Sequence, residues 1–270
     1  MSSSANPIGV FDSGVGGLSV LREIRRELPA ENLIYVADSA HAPYGDKPQE
    51  FIEARSLAIT RFLLDRGAKA IVVACNTATG AAVASLRNHF TLPIVAMEPA
   101  IKPAAAQTQT GVVGVLATSR TLASHNFVKL FERYGSEAEI LPQACPGLVE
   151  QVEAGDLAGV KTRNLLERYL SPLLTKGADT LVLGCTHYPF LRPLIQEIAG
   201  PNVAVIDSSE AVARQLCRRL EAHDLLAGAD EPGSEQFWTS ADPAMAGPVI
   251  GQLWRSAVEV RGLPETSPML

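Results

Sequence analysis

GAKAIVVACNTATG (residues 67–80) and GADTLVLGCTHYPF (residues 177–190) share one pattern: a Gly-Ala pair, a short apolar run, and a cysteine at the same step after the glycine. An apolar run this short, without polar alternation, fits a strand covered on both faces, as in a parallel sheet flanked by helices. Two such strands at matching positions raise the question of what else in the chain is repeated.

Outward from these stretches the rhythm continues in both directions. IGVF is followed by the amphipathic LSVLREIRREL, LIYVA by PQEFIEARSLAITRFLLDRG, AIVVAC by ATGAAVASLRNHF, and PIVAM closes the series. It then restarts as VVGVLA before SHNFVKLFERYG, AEILPQA before a helical stretch over 157–176, TLVLGC before FLRPLIQEIAG, and VAVID before a helix over 209–226. Buried strands alternating with helices predict an α/β protein built on parallel sheets. Aligned, Gly9 answers Gly114, Tyr35 answers Ile140, Cys75 answers Cys185 and Glu98 answers Asp207, at offsets of 105 to 110 residues. Four strands held at nearly constant offset predict two similar α/β halves.

The Pro- and Ala-rich AMEPAIKPAAAQTQTG suits a crossing segment between the halves. QFWTSAD and VIGQLWRSAV are too little for a third domain and are expected to return onto the first half. The expected division is residues 1–98 with about 208–270 in one domain and 99–207 in the other.

At 270 residues and 47% hydrophobic the chain is long enough for substantial cores, yet no apolar run approaches the roughly 20 residues of a membrane helix. The start, MSSSANPIGVFDSG, has neither a basic nor an apolar leader region, so a cytoplasmic location is expected. Four dispersed cysteines do not form a disulfide framework. A net charge of -6 without a basic stripe argues against nucleic acid, and the absence of a membrane run argues against lipid, so the expected partner is a small molecule.

Ligands of open parallel sheets bind beyond the carboxyl ends of the strands. The residues there are Asp12 and Ser13, Asp38 to Gly45, Cys75-Asn76-Thr77, Glu98, Thr118 to Thr121, and Cys185-Thr186-His187. DSGVGG (12–17) reads either as a turn needing positive φ or as a backbone cradle for an anion. SAHAPYG (39–45) is either an ordered surface loop or a substrate-contacting one. Cys145 and Cys217 read as small buried hydrophobes.

Cys75 and Cys185 differ because they end equivalent strands. A zinc site is disfavoured, since Cys185, Thr186 and His187 have no common ligand spacing and a fourth ligand is not evident. A redox pair would ordinarily use C-x-x-C. What remains is a pair of acid/base groups: opposed thiols can remove a proton from one face of a stereocentre and return one to the other. A free thiol near pKa ~8.5 needs only modest help in this role. His187 is a candidate relay for Cys185, and Asp12 for Cys75.

FDSGVGGLSVL, VADSAHAPYG, ACNTAT, GVLAT and LGCTHYPFL resemble the signature segments of the cofactor-independent aspartate/glutamate racemases, specifically the glutamate racemases, from about Ile8 to Trp254. The resemblance implies two pseudo-symmetric domains with the site in the cleft between them, interconversion of L- and D-glutamate for peptidoglycan, and a homodimer. It assigns Cys75 and Cys185 as catalytic acid/bases, assisted by Asp12, His187 and an acidic residue that falls on Glu153 within CPGLVEQVEAG. Where many members have proline after that valine this chain has Glu150, so either glutamate could approach His187, with Glu153 preferred. The substrate contacts it implies are Asp12, Ser13, Tyr44, Gly45, Asn76, Thr77, Thr118, Thr121, Thr186 and His187. No lysine stands at a site position to carry pyridoxal phosphate, so neither a cofactor nor a metal is expected. Rival readings are a racemase of aspartate or another small acid, and a two-lobed ligand-binding protein closing around its cleft.

Overall fold

The chain alternates strand and helix from its first strand, because short β-branched runs are punctuated by caps and turns every few residues. The computed structural model describes residues 4–228 and 231–264. The first half supplies β1 (Ile8–Asp12), α1 (Leu18–Glu27), β2 (Leu33–Ala37), α2 (Gln49–Asp65), β3 (Ala70–Val73), α3 (Asn76–His89) and β4 (Ile94–Ala96). The second supplies α4 (Ile101–Gln107), β5 (Val112–Ala117), α5 (Ser119–Ala123), α6 (His125–Tyr134), β6 (Glu139–Ala144), α7 (Leu148–Glu153), α8 (Val160–Thr175), β7 (Thr180–Leu183), α9 (Arg192–Ala199) and β8 (Ala204–Ile206). The chain then continues as α10 (Ser209–Glu221), β9 (Glu235–Thr239), α11 (Pro243–Trp254) and β10 (Val260–Gly262).

Both sheets are parallel and share one strand order. The smaller runs β6-β5-β7-β8, and the larger contains its counterpart β2-β1-β3-β4, extended by β9 and β10 beside β2. QFWTSAD thus supplies a strand of the first sheet, between β2 and the edge strand β10, while α10 and α11 pack on α1. The helices expected over 157–176 and 209–226 are shorter, Val160–Thr175 and Ser209–Glu221.

The repeat extends to atomic detail. A side chain on Gly9 would strike Leu63 and Ile71 at 2.9 Å, and one on Gly114 would strike Leu173 and Leu181 at 2.8 Å. The glycines let the helix lie close on its sheet at the same point in each half. The repeated Gly-Ala pair has an equally local cause. Gly67 (φ +80°) and Gly177 (φ +86°) terminate α2 and α8 in the left-handed conformation. Their N–H groups bond to Leu64 and Leu174, and those of Ala68 and Ala178 to Leu63 and Leu173. This is a Schellman-type stop, which favours glycine.

Two points of the sequence alignment need correction. Tyr35 pairs with Val10 and Pro142 with Val115, so Pro142, not Ile140, is the counterpart of Tyr35 once Gly9 is set on Gly114. By the same register Asp207 matches Ala96 rather than Glu98, because Val73 pairs with Ala96 and Val182 with Ile206. Each error is two residues, a full strand repeat that leaves a side chain on the same face and so escapes a hydrophobicity pattern. Cys145 is buried, but Cys217 is only partly so, with its thiol directed to Glu221 on the outer face of α10.

Candidate active site

The carboxyl ends of β1, β3 and β7 converge on one cavity. It is lined by Ser13, Pro43, Tyr44, Gly45, Cys75, Asn76 and Thr77 from the first half, and by Thr118, Val149, Cys185, Thr186 and His187 from the second. The two halves therefore meet with Cys75 and Cys185 on one enclosed space, both buried and unpaired.

The thiols are held differently. Cys75 caps α3, with Sγ accepting from the Ala78 N–H at 3.4 Å and donating to Ser13 Oγ at 3.7 Å. Burial first, and the nearby Asp12 carboxylate second, push this thiol well above its ordinary range. After Cys185 the segment YPFLRP forms a short 3-10 turn before α9, and Pro189 lacks an N–H. Here the sulfur faces a side chain instead: His187 Nδ1 lies 3.7 Å from Cys185 Sγ.

His187 Nε2 lies 2.6 Å from Glu153 Oε1. Burial works to lower the basicity of this imidazole, but its hydrogen bonds with Cys185 and Glu153 outweigh it and raise the pKa well above the usual histidine value. Glu153 Oε1 also accepts from the Val15 N–H at 2.7 Å and Oε2 from Ser39 Oγ at 2.9 Å, which fixes the carboxylate from the opposite half. Glu150, one turn earlier in α7, is exposed on the outer side.

Asp12 ends β1 wholly buried. Its Oδ1 accepts from the Ser13 N–H (2.6 Å) and Oγ (3.1 Å), and its Oδ2 from the Gly17 N–H (2.6 Å) and Thr186 Oγ1 (3.1 Å). Burial raises its carboxyl above the ordinary value against the pull of His187.

The glycines of DSGVGG answer to proximity rather than to positive φ, which none of them adopts. A side chain on Gly14 would meet Glu153 Oε1 at 1.8 Å, and one on Gly16 would meet His187 Nδ1 at 2.2 Å. Nor is the loop an open anion cradle, since Glu153 and Asp12 already take the Val15 and Gly17 N–H groups.

Tyr44 lines the cavity, but its hydroxyl donates to Asp38 Oδ2 at 2.6 Å. Asp38, buried at the end of β2, receives both arms of Arg55 at 2.9 and 2.7 Å. Burial alone would raise the Asp38 carboxyl; the guanidinium more than offsets this and holds it below the ordinary value. SAHAPYG is thus an ordered loop whose end, Pro43 to Gly45, faces the cleft. Thr77, Thr118 and Thr121 close a triangle of hydroxyls across the cleft at 3.0 to 3.1 Å, with Thr121 behind the lining rather than in it. Glu98 is absent from the lining.

Several contributors act as supports behind the lining. Tyr35 holds the glycine loop through the Gly14 carbonyl at 2.6 Å, Ser39 braces Glu153, and Arg55 clamps Asp38 from α2. Asp38 and Ser39 fall within the strand-end stretch Asp38 to Gly45 singled out in the sequence, whereas Tyr35 and Arg55 do not.

The amide of Asn76 is buried with neither its nitrogen nor its oxygen bonded to any protein group. Such atoms are costly in a finished core and point to a ligand. The cavity itself is only about 10 Å³, room for one water at most. It is a closed cleft, latched by Asp12 to Thr186, Glu153 to Val15 and Ser39, and Thr77 to Thr118. Among the described residues no group of three His, Cys, Asp or Glu side chains is arranged to hold a metal.

The profile of the Asp/Glu/Hydantoin racemase family matches residues 8–216. The chain is 58% identical over 264 residues to the glutamate racemase of Methylococcus capsulatus, covering 98% of this chain and 97% of that one. It superposes on the crystal structure of the Francisella tularensis glutamate racemase in complex with D-glutamate with a TM-score of 0.83 and 28% identity, covering 97% and 98%. It superposes equally, at 0.83 and 34% identity over 95% and 97%, on the Escherichia coli glutamate racemase in complex with L-glutamate and the activator UDP-MurNAc-Ala. With the two-sheet fold, the shared strand order and full-length similarity together, the chain belongs to the Asp/Glu/Hydantoin racemase family.

Proposed function

We propose that the protein is a glutamate racemase in which Cys75 and Cys185 act as the two bases, without a cofactor. One observation carries this reading: two buried thiols, delivered by equivalent strands of two related halves, line one cavity beside an unpartnered asparagine amide. Relatives named as glutamate racemases at 53 to 58% identity support glutamate as the substrate.

The Cα–H of an amino acid is a very weak acid, so a site for its removal must offset the growing negative charge with fixed donors. Asn76, Thr77 and Thr186 are suited to that task, while Asp12, buried behind the lining, is placed to act on Cys75 and Thr186. A thiolate on one side takes the Cα proton, and the thiol on the other gives its proton to the opposite face. The two cysteines end with their roles exchanged, ready for the reverse direction. The resting sides differ: burial and Asp12 keep Cys75 protonated as a donor, whereas Cys185 has a protonated imidazole beside it, with Glu153 behind. Ser13, Tyr44, Gly45 and Thr118 shape the pocket, with Thr121 supporting from behind. A supply of D-glutamate for peptidoglycan, a cytoplasmic location and a homodimeric assembly belong to the same proposal, as does the division into residues 1–98 with 208–270 and residues 99–207.

Circular dichroism of purified enzyme with each enantiomer of glutamate and of aspartate, together with solvent deuterium uptake at Cα, tests this. Cys75→Ala and Cys185→Ala should each lower racemisation by at least about a hundredfold, the scale of a lost acid/base group. Full activity in either variant, or a ligand recovered unchanged, overturns it.

A further inference from the structure

Immediately outside the closed cavity lies a larger one of about 470 Å³, bounded by Gly45, Gln49 and α3 on one side and by α5 and the start of α6 on the other. It straddles the mouth of the cleft. Gly45 and Thr77 line both spaces, so the hydroxyl triangle of Thr77, Thr118 and Thr121 stands between the outer chamber and the thiols. The outer chamber is within the size range of small-ligand pockets, whereas the inner one has no room for a ligand.

Its lining is cationic. The protein carries a net -6, yet no acidic residue lines this chamber. Arg120, on the inner side of α5, does line it, and no ion pair among the described residues involves this guanidinium. Its Nε is buried without a hydrogen-bond partner. Ser119, Ser124 and His125 add neutral or weakly basic donors around it. Arg120 is half-buried, and its buried Nε–H lacks an acceptor that an anionic ligand would supply. Arg120 also directly precedes Thr121, so a ligand held there touches the helix that carries two of the three latch hydroxyls.

We propose that this chamber is a capture site for the carboxylate of the incoming amino acid, with Arg120 its charged ligand, occupied before the cleft opens to the thiols. Resting on the racemase reading, the proposal adds an entry step to it. A cationic chamber on an acidic protein raises the local concentration of an anion and is weakened by salt. Arg120 is a capture residue rather than a catalytic one, since the hydroxyl triangle separates it from both sulfurs.

The test uses Arg120→Gln and Arg120→Lys in the full-length enzyme, with thermal melts to verify folding. In low-salt buffer, Arg120→Gln should lose about tenfold in kcat/KM for both enantiomers, the lower end of what one-signed clefts contribute. The loss should fall on KM, with kcat within about twofold. Added salt should lower the wild-type kcat/KM and leave that of Arg120→Gln nearly flat, while Arg120→Lys should retain most of the wild-type behaviour. Unchanged kcat/KM and salt dependence in Arg120→Gln overturns the proposal, as does a loss confined to kcat. Calorimetric titration with D-glutamate separates it from the function reading. If the wild type binds but does not racemise, racemisation falls and weaker binding by Arg120→Gln still decides the capture site. Absence of binding to the wild type overturns both.

Discussion

Cys185, His187 and Glu153 stand in series across the cleft, with the imidazole held between a sulfur and a carboxylate. Burial alone would lower the basicity of this imidazole; the hydrogen bond with Cys185 and that with Glu153, 2.6 Å away, together raise it. Because the folded pKa of His187 is raised, the pair adds stability fully present below the unfolded histidine value of about 6.5, and it is lost as pH climbs through the folded value. Glu153→Gln should therefore cost about 2 kcal/mol at pH 6, the scale of a hydrogen bond to a charged group, and clearly less at pH 10, measured by urea unfolding. An equal cost at both pH values contradicts this coupling. The same variant should shift the pH profile of kcat/KM toward acid. The preference for Glu153 over Glu150 came from a resemblance. No spacing rule foretells that a residue 34 positions from His187 will reach it, since that depends on how α7 docks against the loop after β7.

At the level of elements, the Gly-Ala stops give the two halves an internal control. Gly177 has no atom within 4 Å of a built side chain, and Gly67 meets only Asn6 at 3.7 Å, so the cost of alanine at either is backbone strain alone. Gly67→Ala and Gly177→Ala should each destabilise by about 1 to 2 kcal/mol, the usual penalty for a left-handed non-glycine residue, and by similar amounts. Thermal melts check this; a loss at one site only would mean that the stops are not equivalent. The residue after each pair is used differently: Lys69 is buried against Glu31 at 2.5 Å, and Asp179 accepts from Thr108 Oγ1 at 2.6 Å. Here the strand and its stop were legible because they are local. The anchoring partners were not, because they come from other segments.

In the whole molecule the closed cleft has a consequence for any ligand. A cavity of about 10 Å³ cannot admit an amino acid, so the latches must part first. In small-angle scattering the free protein should show a larger radius of gyration than the protein saturated with D-glutamate, as a cleft-closing equilibrium requires. Identical values would confine the opening to side chains and loops.

The α/β class, the two-fold repetition, the strand ends and the pairing of Cys75 with Cys185 as equivalents were all legible in the amino-acid order. The class and the strand ends are encoded by local periodicity and caps, where side-chain pattern and backbone conformation are directly linked, and the repetition by the recurrence of those local patterns later in the chain. It took the folded chain to show that Glu153 rather than Glu150 meets His187, that the DSGVGG glycines yield space instead of turning the chain, that Asp38 holds Tyr44 and Arg55, and that Arg120 lines the outer chamber. These depend on distances between segments far apart in sequence, which are set by how the two sheets pack on each other and which no local pattern encodes.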